Sequence, residues 1–171
     1  MSAAENGGYF LFWRSYFRAI RAIRAEGVRL ALYDALAAFF LDGEEPDFSQ
    51  LQDQSLRGVC LALWPGLISR PNVKSGDRGT RRYFAFLRYY EDRLQSVPDQ
   101  PARLALYEAL AVYGLDRTAP DFSNVEEAAA GLCAAMWEDF AIYAERSWIN
   151  YENGRGGGAP SGNQNAKKTT E

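Results

Sequence analysis

Arg14, Arg18 and Arg21 recur at steps of four and three, with Arg24 close behind. That spacing puts the first three on one helical face, where guanidinium groups can grip phosphates or an acidic protein surface. Arg78, Arg81 and Arg82 form a second basic group, and Arg155 stands ahead of a glycine run. These eight arginines are the candidate contacts for nucleic acid or a protein partner. Arg155, with Ala159 and Pro160 beyond it, carries part of a minor-groove hook pattern but lacks its second arginine. Arg14 and its later counterpart Arg88 sit among aromatics, so pairing with Asp34 and Glu108, or stacking on a ring, is expected of them.

Other chemistry is scarce. Asp42-Gly-Glu-Glu-Pro-Asp47 and Glu138-Asp139 offer carboxylates of the kind that perform acid–base work or hold Mg²⁺, but a solvated helix-end loop explains the first cluster better. Cys60 and Cys133 fall on buried stripes and suit core filling more than a redox pair. The chain contains no histidine. That removes the Ser–His and Cys–His nucleophile pairs, most zinc sites and the usual general base. No catalytic residue, metal ligand or cofactor is assigned, and the expectation is a protein that is not an enzyme.

The 171 residues allow one ordinary domain or two small ones, and an apolar fraction of 47% is ample for a packed core. A net charge of −3 argues against binding nucleic acid over the whole surface while permitting a local basic face. No apolar run approaches the roughly 18–20 residues of a membrane span. Met1-Ser-Ala-Ala-Glu-Asn6 lacks the regions of a signal peptide, and with two cysteines a cytoplasmic setting in a host cell is expected.

The elements that must position these residues are repeated. At an offset of 74, residues 9–49 match residues 83–123, with 19 identical pairs among 41 positions. Arg29-Leu-Ala-Leu-Tyr-Asp-Ala-Leu36 returns as Arg103-Leu-Ala-Leu-Tyr-Glu-Ala-Leu110. At offset 73, Gly58–Trp64 then matches Gly131–Trp137. Chance does not produce such agreement, and it implies a tandem duplication.

Each unit reads as three helices. Tyr9, Trp13, Tyr16, Ile20 and Ile23 step by three and four, so the first helix is expected to start near Tyr9. Leu30, Tyr33, Leu36 and Phe40 mark the second, which should stop near Asp42-Gly43. Ser49 and Gln52, like Ser123 and Glu126, read as capping boxes for the third. That helix is expected to bury Leu56, Val59, Cys60, Leu63 and Leu67, with Pro65 bending or ending it. In the second unit Asp99 should cap a helix with Pro101 near its start, and the last helix should be longer, with Val125, Ala129, Leu132, Met136, Phe140 and Tyr143 in register.

The fold class read from the sequence is therefore all-α, about six helices in two pseudo-repeated three-helix units. Unit one spans 8–72, a linker 73–81, unit two 82–152, and a flexible Gly/Asn-rich tail 153–171.

Tyr9-Phe-Leu-Phe12, Leu32-Tyr-Asp-Ala-Leu36, Asp42-Gly-Glu-Glu-Pro46 and Tyr151-Glu-Asn-Gly-Arg155, running into a Gly/Asn-rich tail, resemble an uncharacterised helical domain of bacteriophages, prophages and mobile elements. The domain is duplicated here, and the tail has fewer lysines and arginines than is usual in that family. No activity is established for the family, so the resemblance implies a genomic setting. The expected function is a non-enzymatic binding or adaptor protein of such an element, contacting nucleic acid or a replication or regulatory complex. The alternative is an inhibitor or adaptor acting on a host protein, for example a defence factor, without nucleic acid. No membrane partner is expected, and the aromatic content permits a homodimer.

Overall fold

The computed structural model describes residues 8–69 and 81–155. Arg78, linker residues 73–80, tail residues 156–171 and the side chain of Arg155 lie outside the described residues. The chain runs β1 (Tyr9–Trp13), α1 (Arg14–Arg21), α2 (Glu26–Ala37), a π-helical turn (Ala38–Asp42), α3 (Gln54–Ile68), β2 (Tyr83–Leu87), α4 (Arg88–Gln95), α5 (Gln100–Asp116) and α6 (Glu127–Arg155).

The fold is mostly helical but not all-α, because β1 and β2 pair as a two-stranded antiparallel sheet. The stretch expected to open the first helix is a strand, and α1 starts only at Arg14. Its side chains alternate as a strand requires: Phe10 and Phe12 are buried, while Tyr9 and Leu11 face outward. The sheet also completes the helix that follows. Trp13 offers no side-chain cap, and the Arg14 N–H at the start of α1 donates instead to the Arg82 carbonyl at 2.8 Å. The Arg88 N–H, at the equivalent place, donates to the Gly8 carbonyl at 2.7 Å.

Leu11 pairs with Ala85, its own counterpart in the repeat, so the ladder is centred on a local twofold relation. Phe10 meets Phe86 at 5.2 Å and Phe12 meets Phe84 at 5.4 Å, two versions of one contact. Beneath them Phe12 stacks on Tyr33 and Phe86 on Tyr107, and the two tyrosines stack on each other. This buried aromatic column joins α2, α5 and the sheet.

Helix ends follow the expectations in part. Gly43 adopts the left-handed conformation that ends the first repeat's second helix, with φ 71°. Arg117 takes the same conformation at the equivalent place, φ 54°, although it carries a side chain. Asp99 caps α5 by accepting from the Ala102 N–H at 2.8 Å. The capping boxes are corrected: Asp53, not Ser49, caps α3 by accepting from the Ser55 and Leu56 N–H groups. Ser49 and Ser123 lie in turns, where Asp47 and Asp121 accept their backbone N–H groups. Helix α3 carries Pro65 within it and continues to Ile68. Its buried side is Cys60, Trp64 and Leu67, leaving Val59 and Leu63 exposed. Helix α6 buries Cys133, Met136, Phe140, Ala144 and Trp148, and runs to Arg155, past the expected start of the tail. Both cysteines are buried and unbridged. No helix among the described residues is long and apolar enough to cross a membrane.

Candidate functional site

The basic residues separate into two kinds. Arg14 turns inward: its Nε donates to the Arg81 carbonyl at 2.9 Å and its Nη2 to the Leu115 carbonyl and Asp116. Arg88 repeats the two Nη2 bonds across the molecule, to the Leu41 carbonyl at 2.7 Å and Asp42 at 2.6 Å. The expected partners Asp34 and Glu108 are taken by others. Arg103 holds Asp34 at 2.9 Å, and Arg29 holds Glu108 at 3.2 Å. Each pair ties one half of the chain to the other, so these arginines are cross-links of the scaffold.

Arg81 is also scaffold. It is buried, donates to the Gly114 carbonyl and to Ser147 at 2.7 Å, and lies over the rings of Trp148 and Tyr151. Burial draws its guanidinium down from the usual value. The described bonds of both residues are internal: Arg14 ties the β2 entry to the end of α5, although it also lines a cleft between α1 and α3, and Arg81 anchors α6. Trp148 adds an indole N–H to the Tyr113 carbonyl at 2.6 Å.

Arg18, Arg21, Arg24 and Arg82 remain exposed. None of the four has an ion-pair partner among the described residues. Arg21 lies 5.4 Å over the Phe17 ring, which directs it along α1.

Arg18 and Arg82 rim a cleft of about 540 Å³ between α1 and α3. Trp13, Ile20, Ile23, Leu32, Leu63 and Leu67 give it an apolar lining, and Ala19 and Gly66 leave space. Sequence reasoning found the arginines but not the cleft. The signal lay in the unequal repeats: Ser15, Ala19, Gly66 and Leu67 stand where unit two has Tyr89, Arg93, Asp139 and Phe140.

No family model, curated protein or solved structure matches the chain. Any assignment therefore rests on this geometry.

A second polar cluster lies inside. The Tyr107 hydroxyl is 2.6 Å from Glu91 and 3.0 Å from Asp34, and Gln95 donates to both acids. Burial raises the pKa of Glu91 and of Asp34, against the lowering effects of Tyr107, Gln95 and Arg103. Its bonds join α2, α4 and α5, and so it serves the interface between the halves. Among the described residues no group of three or more Cys, Asp or Glu side chains is arranged to hold a metal ion.

Proposed function

We propose that this chain is a non-enzymatic binding protein of a phage or mobile element, which engages a partner protein through the α1–α3 face of its first repeat. One observation carries the reading: exposed, unpaired Arg18 and Arg82 flank an apolar cleft, with Arg21 and Arg24 extending the basic strip. An apolar floor with a cationic rim suits a protein surface that presents a hydrophobic side chain among acids. A phosphate backbone would use the arginines and leave the apolar floor uncovered. The reading includes the host setting, where the partner would be a host or phage protein.

The exposed arginines also support a second reading, contact with nucleic acid. The two differ in salt dependence and in sensitivity to nuclease. Tagged protein is used to capture partners from nuclease-treated host lysate, beside a variant carrying Arg18→Glu and Arg21→Glu. Retention of a specific protein after nuclease, lost in the variant, is the expected result. Equal capture by both forms would remove the α1 face from the function, whereas steeply salt-dependent binding to duplex DNA with no retained protein would favour the second reading.

A further inference from the structure

The two halves solve the same packing problem differently, and the difference describes what the cleft lacks. In the second half, Phe140 packs on Tyr89 and Tyr90 at 6.3 and 5.2 Å, and Tyr143 covers Tyr89 at 4.8 Å. Beside these rings Arg93 and Asp139 form an ion pair at 2.8 Å. The space between α4 and α6 is therefore occupied by aromatic rings next to a carboxylate bonded to a guanidinium.

In the first half the equivalent positions are truncated. Tyr89 becomes Ser15, Arg93 becomes Ala19, Asp139 becomes Gly66 and Phe140 becomes Leu67. The consequence is visible at Leu63, which is 41% exposed, whereas its counterpart Met136 is 6% exposed. A side chain added at Gly66 would meet nothing within 4 Å. Charge changes in step with space: Arg18 stands where the second half has Asp92, and Arg82 where the first half has Gly8. The cleft has lost two rings and both members of the Arg93–Asp139 ion pair, and carries Arg18 and Arg82 at its rim.

We propose that the cleft between α1 and α3 binds a partner's peptide segment carrying an aromatic side chain next to a carboxylate. The ring would enter between Trp13 and Leu63, over Leu67, and the carboxylate would meet Arg18 or Arg82. This rests on the reading of the α1–α3 face as a protein-binding surface and adds the chemistry of the partner. Charge complementarity selects an acidic segment, and the apolar lining selects the ring.

The probe is a fluorescein-labelled peptide copying residues 137–144, Trp-Glu-Asp-Phe-Ala-Ile-Tyr-Ala, which presents the groups that fill the second half. Anisotropy with the full-length protein measures its affinity. Saturable binding is expected, weakened about tenfold or more when the peptide's Phe is replaced by Ala, as for a buried aromatic anchor. Replacing its Asp by Lys, or making Arg18→Glu in the protein, should each weaken binding roughly fivefold or more. Ser15→Tyr with Gly66→Asp, which restores the second half's residues, should abolish it. Arg18→Glu is a surface change and keeps the test valid should the filled variant fail to fold. Arg146→Glu on α6, away from the cleft, should leave the affinity unchanged.

No binding at millimolar protein, or equal binding of the Phe and Ala peptides, overturns the proposal. So does binding that survives filling of the cleft in a folded variant. Saturable binding of a labelled oligothymidylate that is lost on filling, without peptide binding, would assign the cleft to nucleic acid instead. If the peptide fails while partner capture still depends on Arg18 and Arg21, the chosen occupant is wrong and the face remains. If capture is insensitive as well, the face itself is wrong.

Discussion

Tyr33 and Tyr107 stack at 5.1 Å with their rings 8° from parallel, although they occupy equivalent places in the two repeats. Their hydroxyls have different fates. Tyr107 bonds to Glu91 and Asp34, whereas the buried Tyr33 hydroxyl has no hydrogen-bond partner among the described residues. Two substitutions in the frame separate them: Phe17 stands where the second half has Glu91, and Glu108, which does not bond Tyr33, stands where the first half has Asp34. The aromatic column is thus symmetric in shape and asymmetric in polarity.

Paired tyrosine variants should separate the two effects. Tyr33→Phe removes an unpartnered buried hydroxyl and should be neutral or stabilising, within about 0.5 kcal/mol. Tyr107→Phe removes the phenol from the buried Glu91 and the half-buried Asp34 and should cost about 1–3 kcal/mol. Urea denaturation of both variants checks this ordering, and equal losses would contradict it.

Glu91 sets a pH dependence whose sign is fixed by its burial. A tyrosine hydroxyl has one proton, so Tyr107 donates to one of the two acids, and the other contact is a full hydrogen bond when that carboxyl is protonated and donates to the tyrosine oxygen. Glu91 is faced by Asp34, Arg103, Gln95 and Tyr107, and its folded pKa lies above its ordinary value of 4.5. A raised folded pKa means that this group's stabilisation is complete below the ordinary carboxylate range and is lost as pH rises through the folded value. Glu91→Gln keeps an acceptor for Tyr107 and removes the charge. Its melting temperature should match the wild type in acid and exceed it at neutral pH. A wild type that gains on the variant as pH rises would refute this.

Gly114 lies where the first half has Phe40, and the two halves pack their strands accordingly. Phe40 stacks on Phe10 at 5.3 Å from within the π-helical turn. At Gly114 the Phe84 ring lies against the helix itself, and an added Cβ would sit 2.5 Å from its Cγ. Alanine gains about 1 kcal/mol of helix propensity over glycine, while overpacking a rigid buried ring costs about 1–3 kcal/mol. The clash should win, so Gly114→Ala should lower the melting temperature, measured by circular dichroism.

Arg81 offers a test that distinguishes scaffold from binding surface. Arg81→Ala removes the bonds to Gly114 and Ser147 and the cover over Trp148, and should cost about 2–3 kcal/mol. Hydrogen exchange should rise in residues 144–155 first, because that end of α6 loses its anchor. Peptide affinity of the folded variant should be unchanged, in contrast to Arg18→Glu.

Much of the helical frame was legible in the sequence, because caps such as Asp99 and Gly43 act within a few residues. The strands were not. Tyr9-Phe-Leu-Phe-Trp13 is apolar throughout, so it fits a helical stripe as well as a buried strand. What decides between them is a partner, Tyr83–Leu87, far away in the chain. The arginines failed for the same reason. The aromatics around Arg14 point to Asp34 or to a ring, yet its partner is Asp116, which recurs as the counterpart of Asp42. The cleft was encoded only as the difference between the repeats, at Ser15, Ala19 and Gly66. Such a difference acquires meaning once the helices are placed side by side.

The reciprocity of the contacts makes a last prediction about the single repeat. Arg14–Asp116 answers Arg88–Asp42, Arg29–Glu108 answers Arg103–Asp34, and the strand pairing is centred on Leu11 and Ala85. An interface in which each residue's contact is returned by its counterpart is the geometry of an isologous dimer, here within one chain. Residues 8–69 expressed alone carry both sides of most of these contacts: Arg14 with Asp42, Arg29 with Asp34, and Phe10 with Phe12 across an antiparallel strand pair. Alone, the segment would expose Phe10, Phe12 and Tyr33, so a folded monomer is disfavoured. It should sediment as a homodimer whose melting temperature rises with concentration. A folded monomer with a concentration-independent melting temperature would show that the halves do not depend on their shared interface.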